Sequence, residues 1–454
     1  MFIEFHVIQN FVPSNLNRGE TGAPKDCKFG GFRRARISSQ CIKKSIRDYA
    51  GFAKAITNVS GDIGIRTKRL TSELSKKIIK KQKVKELKND KQKNMADRVA
   101  QNIVKCLGLG FPTDNNKKEI QNYEKTQYLL FLGKEELDDL AEMATSDPYW
   151  SIMSLKLDVS LKDNKEKEKS SKTLKKEREE LFKDANLKAR LSNQEEDKNK
   201  SDTLSKEIKG LQGKFKGVVR KDRLKKKSFA TDIALFGRMI ADDKNMNVDA
   251  ACQVAHAIST NEVEMNMDFF TAIDDLLPDD TAGSDMMGIV DFNSSCYYRY
   301  AQINLDILKH NLGCPADKKK KSETYDAEIV KATVEGFFKG MVEAVPTGMQ
   351  NSMAHYNPPS YVRVLVRTSG ASWNLANAFV QPIRAGKGEG EDLINKSVQK
   401  LELYFDDLEK VFGKEGIDND FICSLNLVNR KETDITISQA IEKLKNAISD
   451  EVKC

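Results

Sequence analysis

The residues from Lys25 to Arg47, KDCKFGGFRRARISSQCIKKSIR, hold eight lysines and arginines against one acid, Asp26. Cations at this density bind phosphate. Arg33, Arg34 and Arg36 follow the Gly30–Gly31 pair and so belong to a loop or strand end. Lys43, Lys44 and Arg47 belong to a helix that starts near Ser38 or Ser39, both good N-cap residues. Gln40, Lys43, Lys44 and Arg47 recur at helical spacing and share one face, while Cys41, Ile42 and Ile46 lie away from it and can pack down. A helix with one buried and one cationic face suits a polyanion's backbone, and its N-terminus offers free N–H groups to a phosphate. A solvated basic helix has the same periodicity. The cations just before it favour nucleic acid.

The elements that must position these residues are legible around them. Residues 2–8, FIEFHVI, alternate as a strand does. Pro13 to Pro24 is an Asn/Gly/Pro-rich loop, and the basic helix runs to about Ala55. Residues 58–228 read as an insertion: helical text to about Tyr149, then a Lys/Glu-rich run over 158–228 with few large apolar residues, for which partial disorder is expected. From 229 globular composition returns. Residues 230–239 read as the end of a strand, 248–259 as an amphipathic helix and 297–305 as a strand. A helix is predicted over 324–342, a half-buried strand over Tyr361–Arg367, and helices over 372–380, 391–411 and 436–448. Outside the insertion this order predicts an α+β fold, a small antiparallel sheet with helices on one face.

Composition narrows the function class. The chain has 454 residues and a net charge of +8. Residues 161–230 hold 23 Lys/Arg and 13 Asp/Glu, a net of +10, so the remainder sums to −2. Positive charge is thus concentrated in that run and in the N-terminal patch. Local patches of this kind steer phosphates and make affinity salt-dependent. No apolar run reaches membrane-spanning length and the N-terminus lacks a basic n-region, so a cytoplasmic protein is expected. Eight scattered cysteines show no zinc-type spacing and read as reduced thiols. No metal or cofactor site is expected.

In three blocks the chain resembles the CasC family, the backbone subunits of type I-E CRISPR Cascade, in the Cas seven branch of the RAMP superfamily. The first block is PSNLNR (13–18), KD (25–26), FGG (29–31) and RRARISSQ (33–40). The second is DIALFGRM (232–239), AHAIST (255–260), DFFTAIDDL (268–276) and YYRYAQINL (297–305). The third is AVPTGMQNSMAHYNP (344–358) with NLANAF (374–379). They span about residues 1–54 and 229–385. The resemblance implies an RRM-like (ferredoxin-like) palm over 1–57 and 229–454, helical fingers inserted over 58–228, and a β-hairpin thumb at about 266–298. It places Lys25, Ser38, Gln40, Lys43 and Arg47 on guide-RNA backbone contacts, Met239 on a wedge near a displaced guide base, and Phe269 and Phe270 on an aromatic pair at the thumb base, where the family often has Trp first. It implies a non-enzymatic scaffold binding crRNA and presenting it to target DNA. Other copies of itself (about six along the guide) and the large, small, foot-capping and crRNA-processing head subunits of Cascade would be partners.

Other residues carry competing readings. Lys214 and Lys216, in KGLQGKFKGVVRKDRLKKK, fit either non-specific contact with the target duplex or a solvated helix end. A RAMP endoribonuclease would use a histidine or a thumb carboxylate. His6 in a strand and His256 on a helix read better as core histidines, and Asp274, Asp275, Asp279 and Asp280 as a solvated acidic turn. Tyr297, Tyr298 and Tyr300, flanking Arg299, are expected to divide between RNA and core. GKGEG (386–390) lacks the flanking strand and helix of a nucleotide loop and reads as a linker.

Overall fold

The computed structural model describes residues 1–81, 90–109, 111, 125–146, 210–220, 223–224, 227–240, 243–272, 286–315, 325–388, 390–425 and 434–453. Most of the charged run 158–228 and the aspartates 274–280 lie outside the described residues. The chain forms two compact units. One comprises Met1–Gly61, Ala250–His310 and Cys314–Cys454. The other comprises Asp62–Asp249 with Asn311–Gly313. Residues 229–249 therefore group with the inserted unit, beyond the boundary drawn at 228.

The first unit contains β1 (Phe2–Ser14), β2 (Asp26–Phe29), β3 (Phe32–Ile37), α1 (Ser39–Asp48) and α2 (Ala50–Thr57). The second contains β4 (Ile65–Thr67), α3 (Leu70–Lys81), α4 (Asp90–Cys106), β5 (Leu130–Leu132), α5 (Lys134–Thr145) and α6 (Thr231–Phe236). The first then resumes with β6 (Cys252–Val254), β7 (Ala257–Ser259), β8 (Asn266–Ala272), β9 (Met286–Asn304), α7 (Leu305–Asn311) and α8 (Ala327–Glu343). It ends with α9 (Gln350–Met353), β10 (Tyr361–Arg367), α10 (Leu393–Phe412), β11 (Ile417–Ser424) and α11 (Ile437–Ala447).

Nine strands form one antiparallel sheet in the order β11-β10-β1-β9-β7-β3-β2, with β6 and β8 also pairing with β9. Both faces of its centre are covered. Phe5 meets Phe337 and Phe338 of α8 at 5.5 and 5.4 Å between ring centroids. On the opposite face Ile8, Tyr298, Tyr300, Tyr361 and Leu365 pack with Leu375, Phe379 and α10 residues Leu401 and Phe405. The expectation of helices on one face is corrected accordingly. The strand 361–367 is buried along its whole length, not half-buried. Its polar residues survive burial because each is paired: Arg363 with Asp420 at 2.6 Å and over the Phe405 ring, Arg367 with Glu4 at 2.9 Å and over Trp373. Glycines let α8 close on α1 and α2. A Cβ at Gly340 would stand 2.7 Å from Ile46 Cγ2, and one at Gly336 would stand 3.1 Å from Phe52.

Three further corrections concern secondary structure. Residues 231–236 are helical, because Thr231–Phe236 closes a turn that ends at Gly237, whose φ of +79° suits glycine. Residues 252–259 form β6 and β7, because the strand β9 offers them backbone partners, which periodicity cannot register. Residues 375–379 form a 3-10 turn. The second unit has its own core, in which Leu74 and Ile78 of α3, Val99 and Ile103 of α4 and Leu137 and Leu140 of α5 join Phe215 and Val219. Cys314 is disulfide-bonded, against the expectation of reduced thiols. Such a bond is set by spatial proximity of the sulfurs, not by sequence spacing. Cys27, Cys41, Cys106, Cys252, Cys296 and Cys423 are free.

Candidate nucleic-acid interface

Arg33, Arg34 and Arg36, expected on a loop or strand end, are carried by the β2–β3 hairpin, and Lys43, Lys44 and Arg47 by α1. Phe29 pairs with Phe32, and Gly30 and Gly31 between them have φ of +61° and +89°. Positive φ at both central residues makes the two-residue turn whose twist matches paired strands. Gly30 is doubly required, since a Cβ there would lie 2.1 Å from the Val380 carbonyl oxygen. β3 leads directly into α1. Ser38 caps the helix, its hydroxyl accepting from Cys41 N–H at 3.4 Å, while its own N–H donates to Asn17 Oδ1 at 2.9 Å. Asn17 also accepts the Lys25 N–H on its carbonyl at 2.8 Å. Asn15 donates to the carbonyls of Gly22 and Asp291, each at 2.9 Å. The asparagines of PSNLNR thus tie the loop to both α1 and β9.

On this frame the cations separate into distinct settings. Ile42 and Ile46 are buried as the helical spacing predicts, and Gln40 and Lys44 are exposed with Lys43 and Arg47 half-buried beside them. Lys44 pairs with Asp48 and Arg33 with Asp26. These are surface pairs, each worth about 0–1 kcal/mol, which a phosphate can displace. Arg36 donates from Nε to the Asp26 carbonyl at 3.2 Å and points Nη1 at His256 Nδ1 at 3.3 Å.

Arg34 departs from the expectation. It is fully buried, and its guanidinium donates to the carbonyls of Ser259, Thr260, Asn261, Phe379 and Val380 at 2.6 to 3.4 Å. It is a structural tie, not a surface cation. Ser38 is likewise buried, and its hydroxyl oxygen serves the helix. Sequence reasoning cannot separate Arg34 from its neighbours, because the five carbonyls that claim it come from two distant segments.

The histidines divide unlike the expectation. His6 is buried. Tyr298 hydroxyl accepts from Leu375 N–H at 3.0 Å and is hydrogen-bonded to His6 Nδ1 at 2.9 Å. Burial, with Arg363 and Arg367 nearby, pushes its pKa down to about 3. His256 is exposed, in the bend between β6 and β7, and is no core residue. Among the aromatic residues 297–300, Tyr297, Tyr298, Arg299 and Tyr300 are all buried, so none divides toward solvent.

The proposed aromatic pair sits on a ribbon in which β8 pairs with β9 over Asn266–Phe292 to Ala272–Met286. Residues 293–304 of β9 belong instead to the main sheet, alongside β1. Phe269, 60% exposed, faces Ile289, and Met267 and Met287 lie on the same face with Thr271 and Asp291. This makes an exposed apolar ribbon face. Phe270 lies on the other face, over Gly288.

In the second unit, Met239 is 87% exposed. Its neighbours are anchored: Arg238 is buried on Glu136 at 3.0 Å, and Ile240 N–H donates to Asn247 Oδ1 at 2.6 Å. An exposed apolar side chain between two fixed residues is presented, not merely tolerated. Lys214 is exposed. Lys216 faces Asp243 at 3.8 Å, and Arg220 donates to the same carboxylate at 2.8 Å. Burial pulls the Asp243 carboxyl up, but the Arg220 hydrogen bond, the Asn245 N–H and the charges of Arg220 and Lys216 together hold it below the usual range. Among the described residues no group of His, Cys, Asp and Glu is placed to hold a metal ion, and no helix is long and apolar enough to cross a membrane.

The geometry can be set beside known proteins. A family model described as CT1975-like protein matches residues 3–449. A solved chain from a "CRISPR RNA-guided surveillance complex, pre-nicking" is 24% identical, with a TM-score of 0.67, covering 98% of this chain and 100% of that one. A second, from a "CRISPR RNA-guided surveillance complex", is 20% identical, with a TM-score of 0.59 and the same coverage. These likenesses show a shared fold. Among curated proteins no match is found.

Proposed function

We propose, from the premise that the chain belongs to the CT1975-like protein family, that it is a crRNA-binding backbone subunit of a CRISPR surveillance complex of type I-E. The observation that carries this is the edge formed by β2, β3 and α1. Lys25, Arg36, Lys43, Lys44, Arg47 and Gln40 stand there together, with Asp26 paired to Arg33 and Asp48 paired to Lys44. Lysine, arginine and amide groups on a fixed frame grip a ribose–phosphate backbone and leave the bases free to pair. An RRM usually stacks bases on an open sheet face, but here that face is covered by α10 and the 375–379 turn. This favours binding along the edge instead.

The protein acts as scaffold, not nuclease. Each copy covers a short stretch of guide, the β8–β9 ribbon reaches the next copy through its apolar face, and Met239 enters the base stack at intervals. The guide is presented to target DNA within an assembly of large, small, foot-capping and crRNA-processing subunits, in the cytoplasm. The palm, fingers and thumb of this family would correspond to the first unit, the inserted unit and the ribbon. The solved relatives, chains of RNA-guided surveillance complexes, support the crRNA-binding role.

Expression with a CRISPR array and its neighbouring genes, followed by sequencing of co-eluting RNA, tests the reading. A discrete guide with several copies of this chain is expected, and the co-purifying subunits identify the type. Random RNA on a monomer would overturn it. Incubation with labelled repeat RNA and complementary RNA, with and without Mg²⁺, tests the non-enzymatic part; intact RNA is expected.

A further inference from the structure

His256 stands where the two halves of the cationic edge meet. Its Nδ1 lies 3.2 Å from Ser39 N and 3.3 Å from Arg36 Nη1. Both partners are obligate donors, since a backbone N–H and a guanidinium carry no lone pair. Nδ1 must therefore be the acceptor, and the ring is neutral with its proton on the outward Nε2. The same lone pair thus holds the first N–H of α1 and the guanidinium of Arg36. Arg36 is held from its other side by the Asp26 carbonyl, so His256 fixes its direction.

We propose that His256 is the positioning residue of the RNA interface, and that its protonation releases Arg36 and the first turn of α1, so that RNA binding weakens in acid. This deepens the reading given under Proposed function and rests on it. The charged groups facing the ring are Arg36 from β3 and Lys25 from the strand entrance before β2; the nearby Asp26 carboxylate is held by Arg33. The thiols of Cys27 on β2 and Cys41 on α1 are pushed up, chiefly by burial, and stay neutral. Partial burial, then Arg36 and Lys25, lower the pKa of His256 itself, which keeps it neutral near pH 7. As pH falls below the ordinary imidazole range, the ring gains a proton and Nδ1 can no longer accept. Three cations then crowd one point and Arg36 swings away.

The test measures binding of a labelled single-stranded RNA of mixed sequence to the full chain between pH 7.5 and pH 5.5, by anisotropy. Wild type is expected to bind more weakly as pH falls. His256→Asn keeps an acceptor near the Nδ1 position that cannot be protonated; its binding, whatever its level at pH 7.5, is expected to be flat with pH. His256→Ala is expected to bind about tenfold more weakly at neutral pH, for two lost hydrogen bonds. Thermal melting of both variants checks that they fold, and a folded His256→Asn suffices for the pH test if His256→Ala does not fold. Wild-type binding that strengthens in acid, with the rise lost in His256→Asn, would make His256 a phosphate-contacting cation and overturn the proposal. So would a His256→Asn profile that falls like wild type. No RNA binding by wild type at neutral pH would instead sink the RNA-binding reading itself.

Discussion

Two sets of arginines behave oppositely in this molecule. At the edge of the sheet, Arg33 and Arg36 face or border solvent with weak, exchangeable partners. In the covered centre, Arg363 and Arg367 are buried against carboxylates and aromatic rings, and Arg34, two residues from Arg36, is buried on five carbonyls. The residue type is the same. What differs is whether the fold supplies enough acceptors to replace water. Where it does, a guanidinium becomes an internal tie; where it does not, the charge stays available to a polyanion.

The contrast is broken most strongly in the centre. Glu4→Gln leaves Arg367 buried without its counter-charge and should cost about 3–5 kcal/mol, read from chemical denaturation. Arg34→Ala should cost about 3 kcal/mol or more by orphaning several carbonyls, whereas Arg36→Ala should stay within about 1 kcal/mol and change RNA affinity instead. Equal destabilisation by both would erase the distinction.

Acid sharpens it next. His6 has a folded pKa of about 3 against an ordinary value of 6.5. Its neutral form is favoured in the fold, so its contribution to stability is complete above about pH 6.5 and is lost as pH falls toward 3. The loss at the acid end is at most roughly 4–5 kcal/mol. His6→Asn keeps a hydrogen-bonding group beside Tyr298 and cannot charge. Its denaturation midpoint should vary less over this window than that of wild type.

At the edge, Lys43→Ala/Arg47→Ala should leave the melting temperature nearly unchanged. It should make the slope of log affinity against log salt shallower by roughly 1.4, about 0.7 per phosphate contact on a single strand. An unchanged slope would remove this helix from the interface. Phe269→Ala has the smallest effect on the fold, within about 0.5 kcal/mol, because the ring is already mostly exposed. Its effect should appear in the size of RNA-dependent assemblies by gel filtration.

The helices α1, α8, α10 and α11, and the strands β1, β10 and the inner part of β9, were legible because their periodicity reflects their own burial. The cationic face of α1 was legible for the same reason: Ile42 and Ile46 pack down and so point Gln40, Lys43 and Lys44 outward. The pairing of β2 with β3 was not read, although Phe-Gly-Gly-Phe carries a two-residue hairpin signal; Arg33, Arg34 and Arg36 were expected on a loop or strand end. β6, β7 and β11 are short or mixed strands whose hydrogen-bond partners lie far away in sequence. The hairpin pairing of β8 with β9 was expected from the resemblance; its apolar face needed the register. His256 was misplaced because AACQVAHAIS spaces its apolar residues in a way that also suits a helix.

By itself the sequence determined the α+β class, the inserted character of the region after α2, and the concentration of cations between Lys25 and Arg47, since these follow from local pattern and charge count. The tertiary structure alone decided which cations stay available. Arg34, Arg36 and His256 are sorted by carbonyls and N–H groups from β7, α1 and residues 379–380, and the second layer over the sheet closes the face on which Tyr298 and Tyr300 would otherwise stack. Hydrogen-bond acceptors and covering layers come from distant segments, so their effect on any one side chain exists only once the chain has folded.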